Sequence, residues 1–304
     1  MATTSGRPVL LDGGLATQLE AAGQVLDPLL WSAALLKTAP AAIVAAHRAY
    51  LDAGAEIITS ASYQASRVGF GQRGLSEAES DRLIAGSVAL ATEARDAFGT
   101  AHPGLAPRRV AASVGPYGAV LHDGSEYTGN YGVGRDVLCR FHEPRLALLD
   151  AAGADLLAVE TLPSLDEARV LADLLGKCRT PAWVSFSCRD GSSLADGTPI
   201  AAAAALFAGH PGVFAVGINC TAPRFATELL DAIGAAVPDK APLVYPNSGE
   251  VYDAASNRWS GTADTASFAR AAGQWYTAGA RYIGGCCRIG PAHIAELRAR
   301  WPEA

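Results

Sequence analysis

Hydrophobic positions in this chain form short unbroken runs, separated by longer stretches in which apolar side chains recur at helical spacing. Unbroken apolar runs bounded by turn residues are typical of parallel β-strands that are buried on both faces. The pattern predicts eight such strands, in residues 8–14, 55–60, 109–115, 155–161, 182–188, 213–220, 242–247 and 281–287.

The amphipathic stretches between these runs predict helices. Their ranges are 40–53, 76–97, 135–152, 165–177, 198–209, 222–236, 262–278 and 291–300. Ser76 and Glu79 have the spacing of a capping box, which opens the second of these helices. Three "AGA" triplets place a glycine where a helix ends in a left-handed residue, at Gly54, Gly153 and Gly279.

Eight strand–helix repeats favour one α/β architecture. An open doubly wound sheet normally has fewer strands and a G-x-G-x-x-G phosphate-binding turn after the first strand, and this sequence has no such turn there. We therefore predict a single (β/α)8 TIM barrel domain over residues 1–304. In that fold the active site lies at the carboxyl ends of the strands.

Composition and charge exclude several classes of partner. Half of the 304 residues are hydrophobic, the net charge is −6, and no run of Lys or Arg occurs. Nucleic acid and anionic membrane surfaces are therefore not expected partners. The sequence shows neither a signal peptide nor an apolar stretch of about 20 residues that would span a bilayer. We expect a cytoplasmic protein that acts on small molecules as a monomer or weak homo-oligomer.

Polar residues gather at the predicted strand ends. Carboxylates follow strands one and four, at Asp12 (before Gly13 and Gly14) and Glu160, and thiols follow strands six and eight. Because the carboxyl ends of barrel strands share one rim, these groups should converge on one mouth. The full set of predicted site residues at this rim is Asp12, Gly13, Ser62, Glu160, Asn219, Cys220, Asn247, Ser248, Cys286 and Cys287.

Three of the six cysteines have the setting of a metal site. Strands six and eight are separated only by strand seven, so Cys220 can meet the adjacent pair Cys286 and Cys287. Neighbouring cysteines rarely form a disulfide with each other. Three thiolates without a fourth protein ligand indicate a catalytic zinc ion with an open position. The alternative is three buried cysteines that happen to end strands.

The donor set also indicates the substrate. Three thiolates leave Zn²⁺ with a net charge of −1, which favours holding a nucleophilic thiolate over polarising a carbonyl, and coordination removes the thiol proton. Asp12 and Glu160 suit an ammonium group, and the backbone N–H groups of Gly13 and Gly14 suit a carboxylate. An amino acid that carries a thiol matches all three features.

Ordered motifs along the whole chain resemble a known family. The segments LDGGLATQLE, ITSASYQAS, DGSEYTG, ETLPS, GINC, YPNSGE and RYIGGCCR are similar to those of the homocysteine S-methyltransferases, and closest to the S-methylmethionine:homocysteine methyltransferase branch. The resemblance implies that Cys220, Cys286 and Cys287 hold zinc and that Asp12 and Glu160 bind the homocysteine amino group. It also implies that the homocysteine thiolate takes a methyl group from a sulfonium donor, giving methionine.

The chemistry of methyl transfer and the length of the chain both favour a sulfonium compound as the methyl donor. A sulfonium leaves as a neutral thioether and requires no general acid, and 304 residues leave no room for the added domains of folate or cobalamin relatives. We therefore expect S-methylmethionine, with S-adenosylmethionine as the alternative. Asn219, Tyr245, Asn247 and Ser248 are candidate contacts to donor or substrate, or else groups that orient Cys220.

Two long segments and one tryptophan complete the predicted rim. Segments 116–134 and 248–261 are rich in Gly, Tyr and polar residues, and we predict that they form a lid; the alternative is two mobile surface loops. Trp31 either faces the sulfonium through its ring or is buried under the first loop.

Two other classes of function remain open from the residues alone. A metal-dependent hydrolase on the same barrel would use histidine and carboxylate ligands and work through zinc-bound water. A zinc-buffering or thiol protein would bind metal without specific affinity for an amino acid.

Overall fold

A computed structural model describes residues 6–249, 251–253, 258–260 and 264–303. Each apolar run of the sequence coincides with a strand to within a few residues, and most of the strands are shorter than the run. The strands are β1 Val9–Leu10, β2 Ile57–Thr59, β3 Arg109–Val114, β4 Leu156–Leu162, β5 Ala182–Phe186, β6 Val213–Asn219, β7 Ala241–Tyr245, β8 Val251–Asp253, β9 Arg258–Ser260 and β10 Tyr282–Ile283. Strands β8 and β9 form a separate antiparallel hairpin, which the apolar pattern did not predict.

The other eight strands form one parallel sheet in the order β1-β10-β7-β6-β5-β4-β3-β2. The two outer strands of that order meet and close the sheet. Leu11 bridges Ile57 in parallel, and the N–H of Glu56 donates to the carbonyl of Leu10 at 2.7 Å. The predicted (β/α)8 TIM barrel is therefore confirmed.

All eight predicted helices are present, with four further short ones. The helices are α1 Leu15–Ala21, α2 Leu35–Thr38, α3 Pro40–Asp52, α4 Arg67–Gln72, α5 Glu77–Ala101, α6 Gly118–Leu121, α7 Arg135–Ala151, α8 Leu165–Leu175, α9 Ile200–Ala204, α10 Ala226–Ala236, α11 Thr265–Thr277 and α12 Pro291–Arg300. Helix α9 is shorter than expected and passes into a 3₁₀ turn at Ala205–Phe207. The additional helices α1, α2, α4 and α6 all lie in connections that follow the carboxyl end of a strand.

Local signals in the sequence explain where helices begin and end. The capping box is confirmed, since Ser76 N–H donates to Glu79 at 2.9 Å and the Ser76 hydroxyl accepts from the Glu79 N–H. Gly54, Gly153 and Gly279 have φ of 105°, 84° and 104°, a conformation that costs glycine little. These turns bring the chain from each helix directly into the next strand.

Successive residues of the strands pack into two different layers. Leu10 and Ile58 face the helices, whereas their neighbours Leu11 and Ile57 face the barrel interior. The interior is filled by ten buried side chains that include Trp183. Because side chains fill the interior of the barrel, a ligand site is expected at the rim of the barrel and not inside it. In the part of the chain that the structure describes, we find no helix long and apolar enough to cross a bilayer.

Candidate active site

A cavity of about 220 Å³ opens at the carboxyl ends of the strands. Its wall is formed by residues at or just after the carboxyl ends of strands β1, β2, β3, β4, β6, β7 and β10, together with part of segment 116–134. The predicted residues that line it are Asp12, Gly13, Glu160, Asn219, Cys220, Cys286 and Cys287. Residues far apart in the chain thus meet at one point of the rim.

The three cysteines of the rim converge on one point. The Sγ atom of Cys287 lies 3.6 Å from that of Cys220 and 4.0 Å from that of Cys286, and all three lie within 4.8 Å of one another. Thiolates at about 2.3 Å from a tetrahedral zinc ion lie about 3.8 Å apart. The spacing therefore fits a metal ion. Among the described residues, no other group of His, Cys, Asp and Glu has this geometry.

Hydrogen bonds between the thiols favour loss of a proton from one of them. The thiols of Cys220 and Cys286 both donate toward Cys287, and this lowers the pKa of Cys287 well below its ordinary value. Hydrogen bonding with Cys286 and with Cys287, together with burial, raises the pKa of Cys220. A metal ion needs ligands in the thiolate form, and this cluster is prepared to supply one.

Left-handed backbone occurs where the strands end. Thr161, Cys220 and Arg288 have φ of 62°, 47° and 68°. Such conformations cost a non-glycine residue roughly 1–2 kcal/mol and persist when surrounding bonds hold them. Here Thr161 N–H donates to the Asn219 side chain at 2.7 Å, and Cys220 N–H donates to the Tyr245 carbonyl at 3.3 Å. These strained turns place Thr161, Cys220 and Arg288 in the cavity wall at the rim.

Asn219 is fully buried and joins two strands behind the cysteines. Its Oδ1 accepts from Thr161 N–H at 2.7 Å and from the Ser185 hydroxyl at 2.9 Å. Its Nδ2 donates to the Thr161 hydroxyl at 2.7 Å and points toward Cys286 Sγ at 3.9 Å. The side chain thus contacts Cys286, not Cys220, and its amide is already engaged by protein groups.

The two predicted carboxylates are both buried in the cavity wall. Asp12 accepts from Thr59 N–H at 2.7 Å and from the Thr59 hydroxyl at 3.0 Å. Glu160 accepts from the hydroxyls of Ser113 and Tyr245. Burial raises the pKa of Asp12 to about 8 and that of Glu160 to about 7. An ammonium group placed between them would offset the cost of ionising both.

Glycines allow the Asp12 turn to pack against the cysteine turn. A Cβ on Gly13 would lie 2.2 Å from the Ile289 carbonyl, and one on Gly285 would lie 2.1 Å from the Ile289 side chain. The N–H of Gly14 donates to Ile289 at 2.9 Å, so it is not available for a substrate carboxylate. That part of the predicted carboxylate site therefore rests on Gly13.

Three predicted site residues lie outside the cavity wall. The hydroxyl of the fully buried Ser62 donates to the Ser113 carbonyl at 2.7 Å. Asn247 N–H donates to Thr221 and Ser248 N–H donates to the Cys287 carbonyl, each at 3.2 Å. The last two therefore support the cysteine turns from behind.

The structure also brings residues to the cavity that the sequence pattern did not single out. Among them are Ser113, Glu126 and Tyr127. Ser113 was concealed within an apolar strand run. Glu126 and Tyr127 belong to segment 116–134, so that segment forms part of the cavity wall, and its function as a lid stays a prediction. For segment 248–261, the structure describes only residues up to 249 and the strands β8 and β9; the rest of that prediction lies outside the described residues.

Trp31 lies at the cavity mouth. It is 42 % exposed, so the interpretation of a buried aromatic is wrong. Trp31 is not a member of the hydrophobic clusters that the described residues form.

Comparison with known proteins decides the family. The sequence model for homocysteine S-methyltransferase matches residues 9–301. The homocysteine S-methyltransferase of Escherichia coli is 50 % identical over 296 residues, covering 96 % of this chain and 94 % of that protein. This chain belongs to the homocysteine S-methyltransferase family. It is a methyltransferase that acts on homocysteine.

Other relatives agree over nearly their whole length. Homocysteine S-methyltransferase YbgG of Bacillus subtilis is 46 % identical over 295 residues, which are 96 % of this chain and 93 % of that protein. The metallated form of the homocysteine methyltransferase MmuM from Escherichia coli superimposes with a TM-score of 0.88 at 46 % identity, covering 98 % of this chain and 97 % of that one. The fold of this chain is thus closely similar to that of MmuM over nearly the whole length of both chains.

Proposed function

We propose that this enzyme transfers a methyl group from S-methylmethionine to homocysteine with the help of a zinc ion held by Cys220, Cys286 and Cys287. S-Adenosylmethionine is the alternative sulfonium donor. The observation that supports the proposal is the convergence of three sulfur atoms within 4.8 Å beside two buried carboxylates. A zinc ion bound there would keep the sulfur of homocysteine deprotonated.

The chain's own residues bind and orient the amino acid. Asp12 and Glu160 hold the homocysteine ammonium, which brings both carboxyl groups into their ionised form. Gly13 N–H faces the substrate carboxylate. Because these groups are fixed by hydrogen bonds from Thr59, Ser113 and Tyr245, the homocysteine sulfur is delivered to the cysteine cluster in one orientation.

The methyl transfer needs no acid or base from the protein. A lone pair of the homocysteine sulfur forms the new S–CH₃ bond, and the electron pair of the broken S–CH₃ bond stays on the donor sulfur. The donor's positive charge is thereby neutralised. With S-methylmethionine as the donor, both products are methionine. All six histidines lie on helices or connections outside the cavity wall, consistent with this route.

A panel of methyl donors tests the reaction. Reduced, zinc-loaded enzyme is incubated with homocysteine and S-methylmethionine, S-adenosylmethionine or betaine, and methionine is measured. We expect the highest kcat/KM with S-methylmethionine. Transfer from betaine in preference to both sulfonium compounds overturns the donor assignment, and no transfer from any sulfonium overturns the proposed reaction.

Metal analysis tests the ligand set independently of turnover. We expect about one zinc per chain and an X-ray absorption spectrum with three sulfur ligands, rising to four when homocysteine binds. Nitrogen and oxygen ligands would favour the hydrolase alternative. Full zinc occupancy without specific binding of homocysteine would favour a zinc-buffering protein.

A further inference from the structure

Glu126 carries a carboxylate in the cavity wall that the proposed reaction has not yet used. It lies in the 3₁₀ turn Ser125–Tyr127 of segment 116–134 and lines the cavity. Its Oε2 atom is sealed from solvent and has no hydrogen-bond partner within the residues that the structure describes. Nor do those residues supply a cationic group in an ion pair with Glu126.

A sealed carboxylate oxygen without a partner is unfavourable, because burial removes its hydration. Burial accordingly raises the pKa of Glu126, and the nearby charge of Asp123 raises it further. Asp12 and Glu160 differ in this respect, since hydroxyl or N–H groups of the protein donate to each of them. The Oε2 atom of Glu126 can therefore accept a hydrogen bond from a cationic donor.

The position of Glu126 is fixed by the packing of its segment. Buried Glu167 accepts from Tyr117 N–H at 2.6 Å and from the Tyr131 hydroxyl at 2.7 Å, which holds the segment near both of its ends. At Gly118, a Cβ would lie 2.5 Å from the Tyr131 ring and 2.6 Å from Glu126 N. The carboxylate is thus carried on a tightly packed turn.

Two tyrosines link Glu126 to the cysteine cluster. Burial raises the pKa of Tyr63, and the charges of Cys220 and Glu126 contribute. The charge of Cys220, together with burial and the charges of Cys287 and Glu126, raises the pKa of Tyr127. Both tyrosines line the same cavity as the cysteine cluster and Glu126. The cavity therefore extends from the cysteines to a separate carboxylate on the lid segment.

We propose that Glu126 binds the amino group of a sulfonium amino-acid methyl donor. The inference rests on the proposed function. The donor's sulfonium must reach the homocysteine sulfur near the cysteines, while its ammonium lies several bonds away and needs an anionic partner. Asp12 and Glu160 are occupied by the ammonium of homocysteine. Two other carboxylates line the cavity: Glu20 is exposed to solvent, whereas Glu126 has an oxygen that is sealed from solvent and unpartnered, so Glu126 is the one suited to the donor.

The test compares Glu126→Gln with the wild type on two donors. One is S-methylmethionine, and the other is (3-carboxypropyl)dimethylsulfonium, which is S-methylmethionine without its amino group. We expect Glu126→Gln to lower kcat/KM for S-methylmethionine by about tenfold to a hundredfold, the effect of losing one charged hydrogen bond, chiefly through the donor KM. The KM for homocysteine and the rate with the amine-free donor should stay within about twofold.

Two further variants separate recognition from loss of structure. Asp123→Asn removes one negative charge from the exposed side of the same turn and keeps an oxygen to accept from Ser125 N–H, so it should match the wild type. Glu126→Asp retains the charge and should recover part of the S-methylmethionine affinity. Thermal unfolding should show no loss in Glu126→Gln, because it removes an unpartnered buried charge.

The outcomes are distinguishable from failure of the proposed function. If the wild type transfers a methyl group from S-methylmethionine but Glu126→Gln has the same donor KM, the assignment of Glu126 is overturned. An equal loss with the amine-free donor, or a selective rise in the homocysteine KM, also overturns it. Absence of transfer by the wild type from every sulfonium would instead overturn the reaction itself.

Discussion

At the scale of single residues, the site is built from groups whose conformation or ionisation is unfavourable without a ligand. Cys220 has left-handed backbone, and Asp12 and Glu160 are carboxylates whose pKa values are raised by burial. An ammonium group bound between the two carboxylates would offset the cost of ionising them. Function and stability should therefore respond in opposite directions to substitutions here.

Cys286→Ser should abolish zinc binding and methyl transfer while leaving the barrel folded. Serine does not supply a thiolate, and since loss of even an outer partner of a ligand costs roughly 10- to 100-fold, a larger loss is expected here. Zinc content, activity and thermal unfolding check this. Cys178→Ser is the control, because that thiol lies outside the cluster and only donates to the Leu174 carbonyl. An unfolded Cys286→Ser protein would indicate a structural site.

Asp12→Asn should stabilise the metal-free protein at alkaline pH and destroy homocysteine binding. The pKa of Asp12 in the folded state is raised to about 8. Between about pH 4 and pH 8 the folded state therefore holds a proton that the unfolded state has lost. The stability of the wild type consequently falls as the pH rises through this range. Asparagine removes this dependence. We expect a gain of up to about 5 kcal/mol at pH 8, from about 1.4 kcal/mol for each pH unit between pH 4 and pH 8, and almost none at pH 4. Urea unfolding of both proteins in the presence of a chelator measures the difference in the free energy of unfolding. A stabilisation by Asp12→Asn that decreases as the pH rises would contradict the prediction.

At the scale of elements, helices α7 and α8 hold segment 116–134 through buried charged groups. Besides Tyr117 and Tyr131, Glu167 contacts His142 Nε2 at 2.7 Å. Burial lowers the pKa of His142, although the neighbouring carboxylate opposes this. Arg145 donates to the carbonyls of Gly115 and Ser62, at the ends of the loops that follow β3 and β2. Rigid helices thus position the loops that cover the cavity.

Glu167→Gln should loosen segment 116–134 without unfolding the barrel. The amide cannot accept all three hydrogen bonds of the carboxylate, so we expect a loss of about 2 kcal/mol and faster hydrogen exchange at residues 117–131. The donor KM should rise more than the homocysteine KM. Glu143→Gln, at an exposed carboxylate of α7 paired with Lys177, is the control. Unchanged hydrogen exchange at residues 117–131 in Glu167→Gln would show that Glu167 does not hold this segment in place.

At the scale of the whole molecule, one end of the barrel forms the cavity and the opposite end holds ion pairs that stabilise the fold. At the end opposite the cavity, Glu56 pairs with Arg7 at 2.6 Å and with Arg298 at 2.8 Å, which ties the first strand and the last helix to the segment before β2. Arg108 and Glu303 make two further bonds of 2.7 Å. These contacts close the barrel where its first and second strands meet.

Glu56→Gln should destabilise the enzyme without altering catalysis. Both arginines lose a charged partner in a mostly buried position, and we expect a loss of about 2 kcal/mol in the free energy of unfolding. The kcat/KM of the folded enzyme should be unchanged, which is the reverse of the result expected for Asp12→Asn. Asp166→Asn, in an exposed pair with Arg169, should change neither quantity. A fall in kcat/KM for Glu56→Gln would show that the two ends are coupled.

The sequence by itself determined the barrel and the groups that end its strands. Apolar runs and helical spacing reflect burial, which each segment encodes locally, and the parallel topology then places Asp12, Glu160 and the three cysteines on one rim. Long connections have no such periodicity. Only the tertiary structure decided that Glu126 and Tyr127 reach the cavity while Ser62, Asn247 and Ser248 lie outside its wall, because side-chain packing between distant loops sets those positions.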